Sequence, residues 1–428
     1  MAERSRIVVL GGGSGGLELA AQLAWRRELE VVLVDRETAH VWKPRLHELA
    51  AGTVQTSLAE MSFYLLADLR GFRFEQGEVV SIDREARTVR LAAMVDGQGR
   101  ELAAARSLSY DLCVVALGGT TPDFGTAGVA AHALRLDGPT DADEFRRRFI
   151  ALMVGARETG TPAEITIVGT GPTGTELAAH LRHSERGFFE PGNGHSQGKL
   201  LSVTLIEAAP EFMPGIDEEL RREIVDRLRA LDVKIVTDAQ VSEVTESELR
   251  TAKGESWPSD LTVWATGLVG NPVLKELSDF ELDRKGRIVV DRWLRSTTDR
   301  RILAMGDAAC FTPETAGRPI PPTAQAASQQ AGYLTRTLPE LARGRTVCAF
   351  EFENRGRLVS LGRAGTVGRA RLSGRDDLFI GGQFAIAAYH ALERQHQWRV
   401  LGPLRGTLAV ATDLISPAKG PALKLHGE

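Results

Sequence analysis

"RIVVLGGGSGGLELAAQLA", Arg6–Ala24, opens as an apolar strand, breaks in a glycine turn and continues as a helix. Its Gly11-x-Gly13-x-x-Gly16 frame gives each glycine a task. Gly11 permits the tight turn, Gly13 lets a pyrophosphate reach the backbone, and Gly16 lets helix and strand pack closely. The helix N-terminus then offers unpaired N–H groups and the positive end of a dipole to phosphate. Such a frame alone is weak evidence. Here a second strand, "EVVLVD", ends at Asp35, 19 residues after Gly16, where a carboxylate can hold both ribose hydroxyls. Strand, turn, helix, strand and acid together predict a parallel α/β dinucleotide-binding unit.

The chain then repeats itself. "EITIV" runs into Gly169-x-Gly171-x-x-Gly174, "TELAAHLRH" continues as a helix, and the strand "LLSVTLIE" closes on Glu207, 33 residues beyond Gly174. The added length lies in a Gly/Pro/Asn-rich insertion, "RGFFEPGNGHSQGK" (Arg186–Lys199). Ala208, Ala209 and Pro210 follow Glu207, so no arginine stands there to receive a 2′-phosphate, and the carboxylate would repel one. NADH is therefore favoured over NADPH. Two such units predict two dinucleotides brought together to exchange electrons, a resident flavin dinucleotide in the first and a visiting nicotinamide in the second. Duplication kept only for packing is the competing reading, and the presence of both acids speaks against it.

Length and composition agree. A chain of 428 residues is too long for one ordinary core, so two or three domains are expected. With 43% hydrophobic and 25% charged residues it has the balance of a soluble globular protein. A net charge of −4 is too small to imply a nucleic-acid partner, but its distribution is uneven. Residues 355–428 hold 11 Lys/Arg against 5 Asp/Glu, a net +6, which leaves the first 354 residues at −10. A basic tail on an acidic body points to an anionic surface as partner or, equally, to a solvated basic face. The chain enters a strand by Arg6, leaving no room for a signal peptide, and no run reaches the ~18 apolar residues of a membrane span. Cys113, Cys310 and Cys348 form no CxxC pair, which fits a reducing cytoplasm. The nine histidines show no HExxH and no Cys/His grouping, so no metal site is expected.

"YDLCVVALGG" (Tyr110–Gly119) and "SDLTVWATGLVGNP" (Ser259–Pro272) each leave a domain through a glycine turn, and "RILAMGDAACF" sets Asp307 just past a buried strand. Paired GxGxxG frames, "ATG" at Ala265–Gly267 and "GDAA" at Gly306–Ala309 resemble the two-dinucleotide-domain flavoproteins of the pyridine nucleotide-disulfide oxidoreductase type. Within them, "GPTGTE" (Gly171–Glu176), "KPRLHELAAG" (Lys43–Gly52) and "PPTAQAASQQA" (Pro321–Ala331) are similar to type II NADH dehydrogenases, the single-subunit NADH:quinone oxidoreductases. The resemblance covers residues 5–335 well and the tail beyond about Arg345 more loosely. It implies an α/β fold with a discontinuous FAD domain (1–125 and 279–344), an inserted NADH domain (126–278), and a membrane-docking or dimerising region (345–428).

The same resemblance implies roles. Asp307 would hold the flavin ribityl chain, and the helix after it, with Pro321 and Pro322 near its start and Ala324 and Gln325 in the FAD set, would aim its N-terminus at the pyrimidine end of the ring, where reduction can leave negative charge. Gln325 and Gln329, four apart on one helix face, would hydrogen-bond a quinone carbonyl. Glu176 would sit at the flavin–nicotinamide junction with a part in quinone or proton handling. Lys43 would be a cation near flavin N5, while His47 is read as structural. Gly12, Gly15, Arg36, Val79 and Gly118 join Gly11, Gly13, Gly16 and Asp35 in the FAD set. Thr266 and Gly267 join Gly169, Gly171, Gly174 and Glu207 in the NADH set.

Expected partners are thus a quinone and a membrane surface, on the cytoplasmic side of the cell membrane, with a homodimer as another use of the tail. Three other readings share the architecture. A sulfide:quinone oxidoreductase would need paired cysteines near the flavin, a soluble reductase would serve a protein carrier, and an NADH sensor would be reduced but turn over slowly. In the tail, Phe384, Ala388, Ala391 and Trp398 lie near one helical face. Leu404, Leu408, Ala411 and Ile415 continue the pattern, with Arg394, Arg399, Arg405 and Lys419 available to anionic headgroups.

Overall fold

The structure, a computed structural model, describes residues 4–54, 60–187, 199–314, 317–371 and 377–415. The chain begins with β1 (Ser5–Leu10), α1 (Ser14–Leu23), β2 (Leu29–Asp35), α2 (Leu46–Ala50), β3 (Arg73–Gln76) and β4 (Leu112–Val115). It continues through β5 (Ala133–Leu134), α3 (Pro139–Thr159), β6 (Ala163–Val168), α4 (Pro172–Gly187), β7 (Leu201–Ile206), α5 (Glu218–Ala230), β8 (Val233–Val236) and β9 (Leu261–Trp264). After these come β10 (Ile302–Ala304) and α6 (Ala324–Ala342).

Two five-stranded parallel sheets result. The first has the order β10-β4-β1-β2-β3, so a strand from beyond the second sheet completes it; the second has the order β5-β9-β6-β7-β8. Both are runs of Val, Ile and Leu with helices on their faces, because a parallel sheet buried on both sides needs near-continuous apolar strands. The first folding unit is therefore discontinuous and the second inserted, as the sequence predicted. Gly119–Thr120 pairs antiparallel with Val269–Gly270, joining the two halves where the chain leaves one and re-enters the other. The insertion expected at Arg186–Lys199 begins two residues later than expected, because α4 runs through Arg186 and Gly187, and its residues 188–198 lie outside the described residues.

The C-terminal region adds an antiparallel sheet of β11 (Gly356–Ser360), β12 (Thr366–Ala370) and β13 (Leu378–Gly381), then α7 (Gly382–Leu401) and α8 (Pro403–Ile415). Helix α7 packs on α1 and buries Ala385, Tyr389, His396 and Val400. The stripe singled out from the sequence therefore lies away from the body, with Phe384, Trp398 and Leu404 exposed. Arg399 departs from expectation: its guanidinium turns inward to Glu18, leaving Arg394 and Arg405 for an outside partner. The side chain of Ile415 and all of Lys419 lie outside the described residues. No described helix is long and apolar enough to cross a membrane.

Candidate functional site

The first cradle is held by backbone contacts that admit little but glycine. Gly11 adopts φ +103°, and its N–H donates to the Val34 carbonyl at 2.8 Å. A Cβ on Gly11 would strike the Ala116 carbonyl, and one on Gly16 would strike the carbonyl of Gly11. Gly12 is backed by the ring of Phe63, and Gly15 by Met305 and Ala327. By contrast, a Cβ on Gly13 would meet nothing within 4 Å. Gly13 is also the N-cap of α1, with no side chain capping it. The turn thus opens N–H groups of a helix N-terminus onto clear space, which suits a pyrophosphate. Asp35 Oδ2 accepts the Gly12 N–H at 2.6 Å and Oδ1 the Glu37 N–H at 2.9 Å. Each oxygen keeps a second lone pair for a ribose hydroxyl. Arg36 is exposed and pairs with Glu37 at 3.4 Å, and Val79 is buried in the first core.

The second cradle repeats the first nearly atom for atom. Gly169 has φ +105°, its N–H donates to the Ile206 carbonyl at 2.8 Å, and a Cβ there would strike the Ala265 carbonyl. A Cβ on Gly174 would strike Gly169, while one on Gly171 would meet nothing within 4 Å. Glu207 Oε2 accepts from the Thr170 N–H at 3.1 Å and from its hydroxyl at 2.5 Å, and Oε1 accepts the Ala209 N–H at 3.0 Å. Gly267, at φ +92°, also leaves open space, and Thr266 Oγ1 donates to the Pro122 carbonyl at 3.3 Å.

Between the cradles, Lys43 Nζ lies 3.5 Å from the Gly119 carbonyl, and a Cβ on Gly118 would come within 3.8 Å of that ammonium. A Cβ on Gly119 would also approach Asp307 Cβ to 3.3 Å, so Lys43, Gly118 and Asp307 meet at one place. Burial pushes the Asp307 carboxyl up, while Lys43 and Arg287 pull it down. The turn carrying Asp307 is pinned by a residue the sequence reading passed over: the buried Gln330 side chain accepts the Gly306 N–H at 2.7 Å.

Gln325 and Gln329 both face the segment leading into β11. Gln329 accepts the Glu353 N–H at 3.0 Å and donates to its carbonyl at 2.7 Å. Gln325 accepts the Arg355 N–H at 3.1 Å and donates to the Gly356 carbonyl at 3.5 Å. Each amide thereby spends one of its two N–H hydrogens and keeps the other. At the far end of the same strand the Ser360 N–H donates to Glu176 Oε1 at 2.9 Å. Gly356 and Ser360 are four residues apart, about 13 Å at the rise of a strand, so β11 links the glutamines to Glu176.

Glu176 is buried on α4, with Oε2 3.3 Å from His47 Nδ1 on α2. Burial, abetted by the charge of Glu48 and opposed by the Ser360 N–H, pushes its carboxyl up to about 8. Burial holds His47 well below the usual imidazole range and His180 at about 3. His47, read from sequence as structural, is therefore in contact with a proposed site residue. The histidines scattered in sequence also gather here, with ligand atoms of His47, Glu48 and His180 within 4.8 Å of one another. A second gathering joins His40 to His396 at 3.0 Å. All three cysteines are free: Cys113 and Cys310 are buried and Cys348 is exposed.

The family profile of the pyridine nucleotide-disulphide oxidoreductases matches residues 5–331. A type II NADH:quinone oxidoreductase of Haemophilus influenzae is 32% identical over 442 aligned positions, covering 98% of this chain and 99% of that protein. One of Staphylococcus aureus is 30% identical over 384 positions, covering 86% and 90%. Among solved structures, NDH2 of Plasmodium falciparum in complex with NADH superposes with a TM-score of 0.77 at 17% identity, over 96% of this chain and 98% of that one. The sulfide:quinone oxidoreductase of Aquifex aeolicus superposes at 0.73 and 18% identity, over 99% and 96%.

Proposed function

The chain belongs to the pyridine nucleotide-disulphide oxidoreductase family and, within it, to the type II NADH:quinone oxidoreductases, and from that membership we propose how its residues divide the work. It is an FAD-dependent NADH dehydrogenase that passes electrons from NADH through the flavin to a quinone. The observation that carries this reading is the duplicated cradle: two open glycine turns, each backed by an acid that accepts the N–H of the residue after the first glycine. Bound FAD supplies the two-electron relay between nicotinamide and quinone.

Gly11, Gly12, Gly13, Gly15, Gly16 and Asp35 hold the FAD pyrophosphate and ribose, with Arg36 and Val79 beside them. Lys43, Gly118 and Asp307 hold its ribityl and ring region, and Ala324 opens the helix whose dipole favours charge on the pyrimidine. Gly169, Gly171, Gly174, Glu207, Thr266 and Gly267 hold NADH. The spare N–H hydrogens of Gln325 and Gln329 are offered to a quinone carbonyl. Glu176, protonated at neutral pH, supplies a proton to the acceptor side. The divisions at 125/126, 278/279 and 344/345 remain our reading of the domains.

With no spanning helix described, we place the enzyme peripherally on the cytoplasmic face of the cell membrane, with Phe384 and Leu404 entering the interface and Arg394 and Arg405 meeting anionic headgroups. Self-association through the same face is the alternative a sedimentation measurement would reveal. An acceptor screen tests the function: NADH oxidation should be sustained with a short-chain quinone. Sustained turnover with only a ferredoxin, or a single turnover and arrest, would point to the carrier reductase or the sensor.

A further inference from the structure

Beneath the first cradle a line of hydrogen bonds runs from the glycine turn into the C-terminal helix. The Gly12 carbonyl accepts from His40 Nδ1 at 2.8 Å. His40 Nε2 lies 3.0 Å from His396 Nε2, and His396 Nδ1 lies 2.8 Å from Glu18 Oε1. Glu18, His40 and His396 are each no more than 3% exposed. Glu18 Oε2 accepts from Ser328 Oγ at 2.8 Å and from the Arg399 guanidinium at 3.0 Å. The line thus joins the strand Ala39–Val41, α1, α6 and α7. The titratable or charged groups described as facing His396 are Glu18 from α1 and His40 from that strand, with Arg399 of its own helix reached through Glu18. Trp42 stacks on its ring at 6.2 Å between centroids.

Counting hydrogens along this line leaves it one short. A carbonyl only accepts, so His40 Nδ1 carries its hydrogen. Burial and the neighbouring His396 hold His40 down at about 3, so it stays uncharged and its Nε2 is a bare lone pair. His396 Nε2 must therefore donate. A carboxylate also only accepts, so His396 Nδ1 must donate as well. Two neutral imidazoles and a carboxylate have too few hydrogens for all three bonds; one extra proton completes them. Burial would raise the Glu18 carboxyl, but hydrogen bonds and charge from His396 and Arg399, with Ser328, outweigh it and keep Glu18 ionised. With Glu18 accepting at both oxygens, the count closes only when the two imidazoles carry three N–H hydrogens between them.

We propose that His40 and His396 are positioning residues, a proton-bearing strut through which α7 sets the Gly12 peptide, so that FAD is held most tightly when the strut carries its extra proton. This rests on the first cradle being the FAD site. Removing the proton leaves one joint without a hydrogen: His396 Nδ1 against the Glu18 carboxylate, the two Nε2 lone pairs against each other, or His40 Nδ1 against the Gly12 carbonyl. The strut then slackens and the Gly12 carbonyl loses its fixed partner. Because the FAD-bound form keeps the proton that a slackened form releases, FAD affinity falls with rising pH, by up to about tenfold per pH unit for one linked proton.

The test is FAD release on dilution of the purified holoenzyme, read as free-flavin fluorescence, between about pH 6 and about pH 9. Wild type should release more FAD as pH rises. Glu18→Gln supplies an amide donor to His396 Nδ1 and an oxygen for Arg399 and Ser328, completing the line with neutral imidazoles. It should therefore hold FAD at high pH as wild type does at low pH, and show no slope. His396→Phe should release FAD readily at every pH. Independently of any variant, the ¹⁵N-histidine spectrum of the wild-type holoenzyme at about pH 7 should show one histidine protonated on both nitrogens, coupled across an Nε2–H···Nε2 bond to a neutral one. A flat wild-type profile, a Glu18→Gln variant as loose as His396→Phe, or two neutral histidines in the spectrum would each overturn the strut. A protein that binds no FAD at all would instead overturn the reading of the cradle.

Discussion

Glu176 Oε2 stands 3.3 Å from His47 Nδ1, and the two form a buried pair that is uncharged at neutral pH. Burial drives both toward the neutral form, raising the acid and lowering the imidazole. A carboxyl at about 8 holds its proton in neutral solution and can yield it to an acceptor made basic by reduction.

That pair has a stability signature of definite sign. The folded carboxyl is raised above its ordinary 4.5, so its contribution is fully present below 4.5 and is lost as pH climbs toward about 8, where only the unfolded chain ionises freely. Glu176→Gln, which keeps the shape and an acceptor for the Ser360 N–H, should melt above wild type at pH 8. The gap should close toward pH 5, at up to about 1.4 kcal/mol per pH unit. Melting curves that run parallel across this range would contradict a neutral Glu176.

Glu207 should set the nucleotide preference. Its carboxylate is anchored by Thr170 and Ala209 at the end of β7, where a 2′-phosphate would meet it. Wild type should prefer NADH in kcat/KM. Glu207→Gln should narrow the gap to NADPH by about tenfold, the equivalent of about 1.4 kcal/mol. A wild type that favours NADPH would mean the second cradle is misread.

Asp35→Ala and Asp307→Ala should each lower the flavin-to-protein ratio of the purified enzyme, measured from its absorbance. Asp35→Ala also strands the Gly12 N–H, which the carboxylate now accepts at 2.6 Å. Full occupancy in both variants would displace the ribose and ribityl assignments.

The tail needs a gentler test than truncation. Cutting before α7 would remove His396, which reaches the first cradle through His40, Val400 from the first core, and Glu393, which is ion-paired to Arg45. Such a protein should lose flavin as well as membrane affinity. Phe384→Ser with Leu404→Ser instead alters only exposed positions. It should abolish flotation with anionic liposomes while NADH–ferricyanide activity persists. Undiminished flotation would remove this face from the docking surface.

Legibility in the sequence followed locality. Both cradles and their acids could be read because strand, turn, helix and acid follow one another within a few tens of residues. Glu18 could not, since an acid inside "LELAAQLA" looks like any solvated helix position until α7 covers it. The same holds for His40 with His396 and for His47 with His180, partners far apart in the chain that meet only when helices pack. The apolar stripe of α7 was visible, but the fold buries the opposite set, Ala385, Tyr389, His396 and Val400, on the side where His396 meets Glu18. Gln330 was missed beside Gln329 because neighbouring helix positions face different ways, one toward the Gly306 turn and the other toward Glu353.

The central claim is that one flavin joins the two cradles electrically. It is tested most directly by anaerobic rapid mixing of the purified enzyme with one equivalent of NADH, then with a short-chain quinone, following flavin absorbance. The flavin band should bleach with NADH and return in full on adding the quinone. A band that NADH leaves unbleached, or that bleaches but does not return with the quinone, would contradict it.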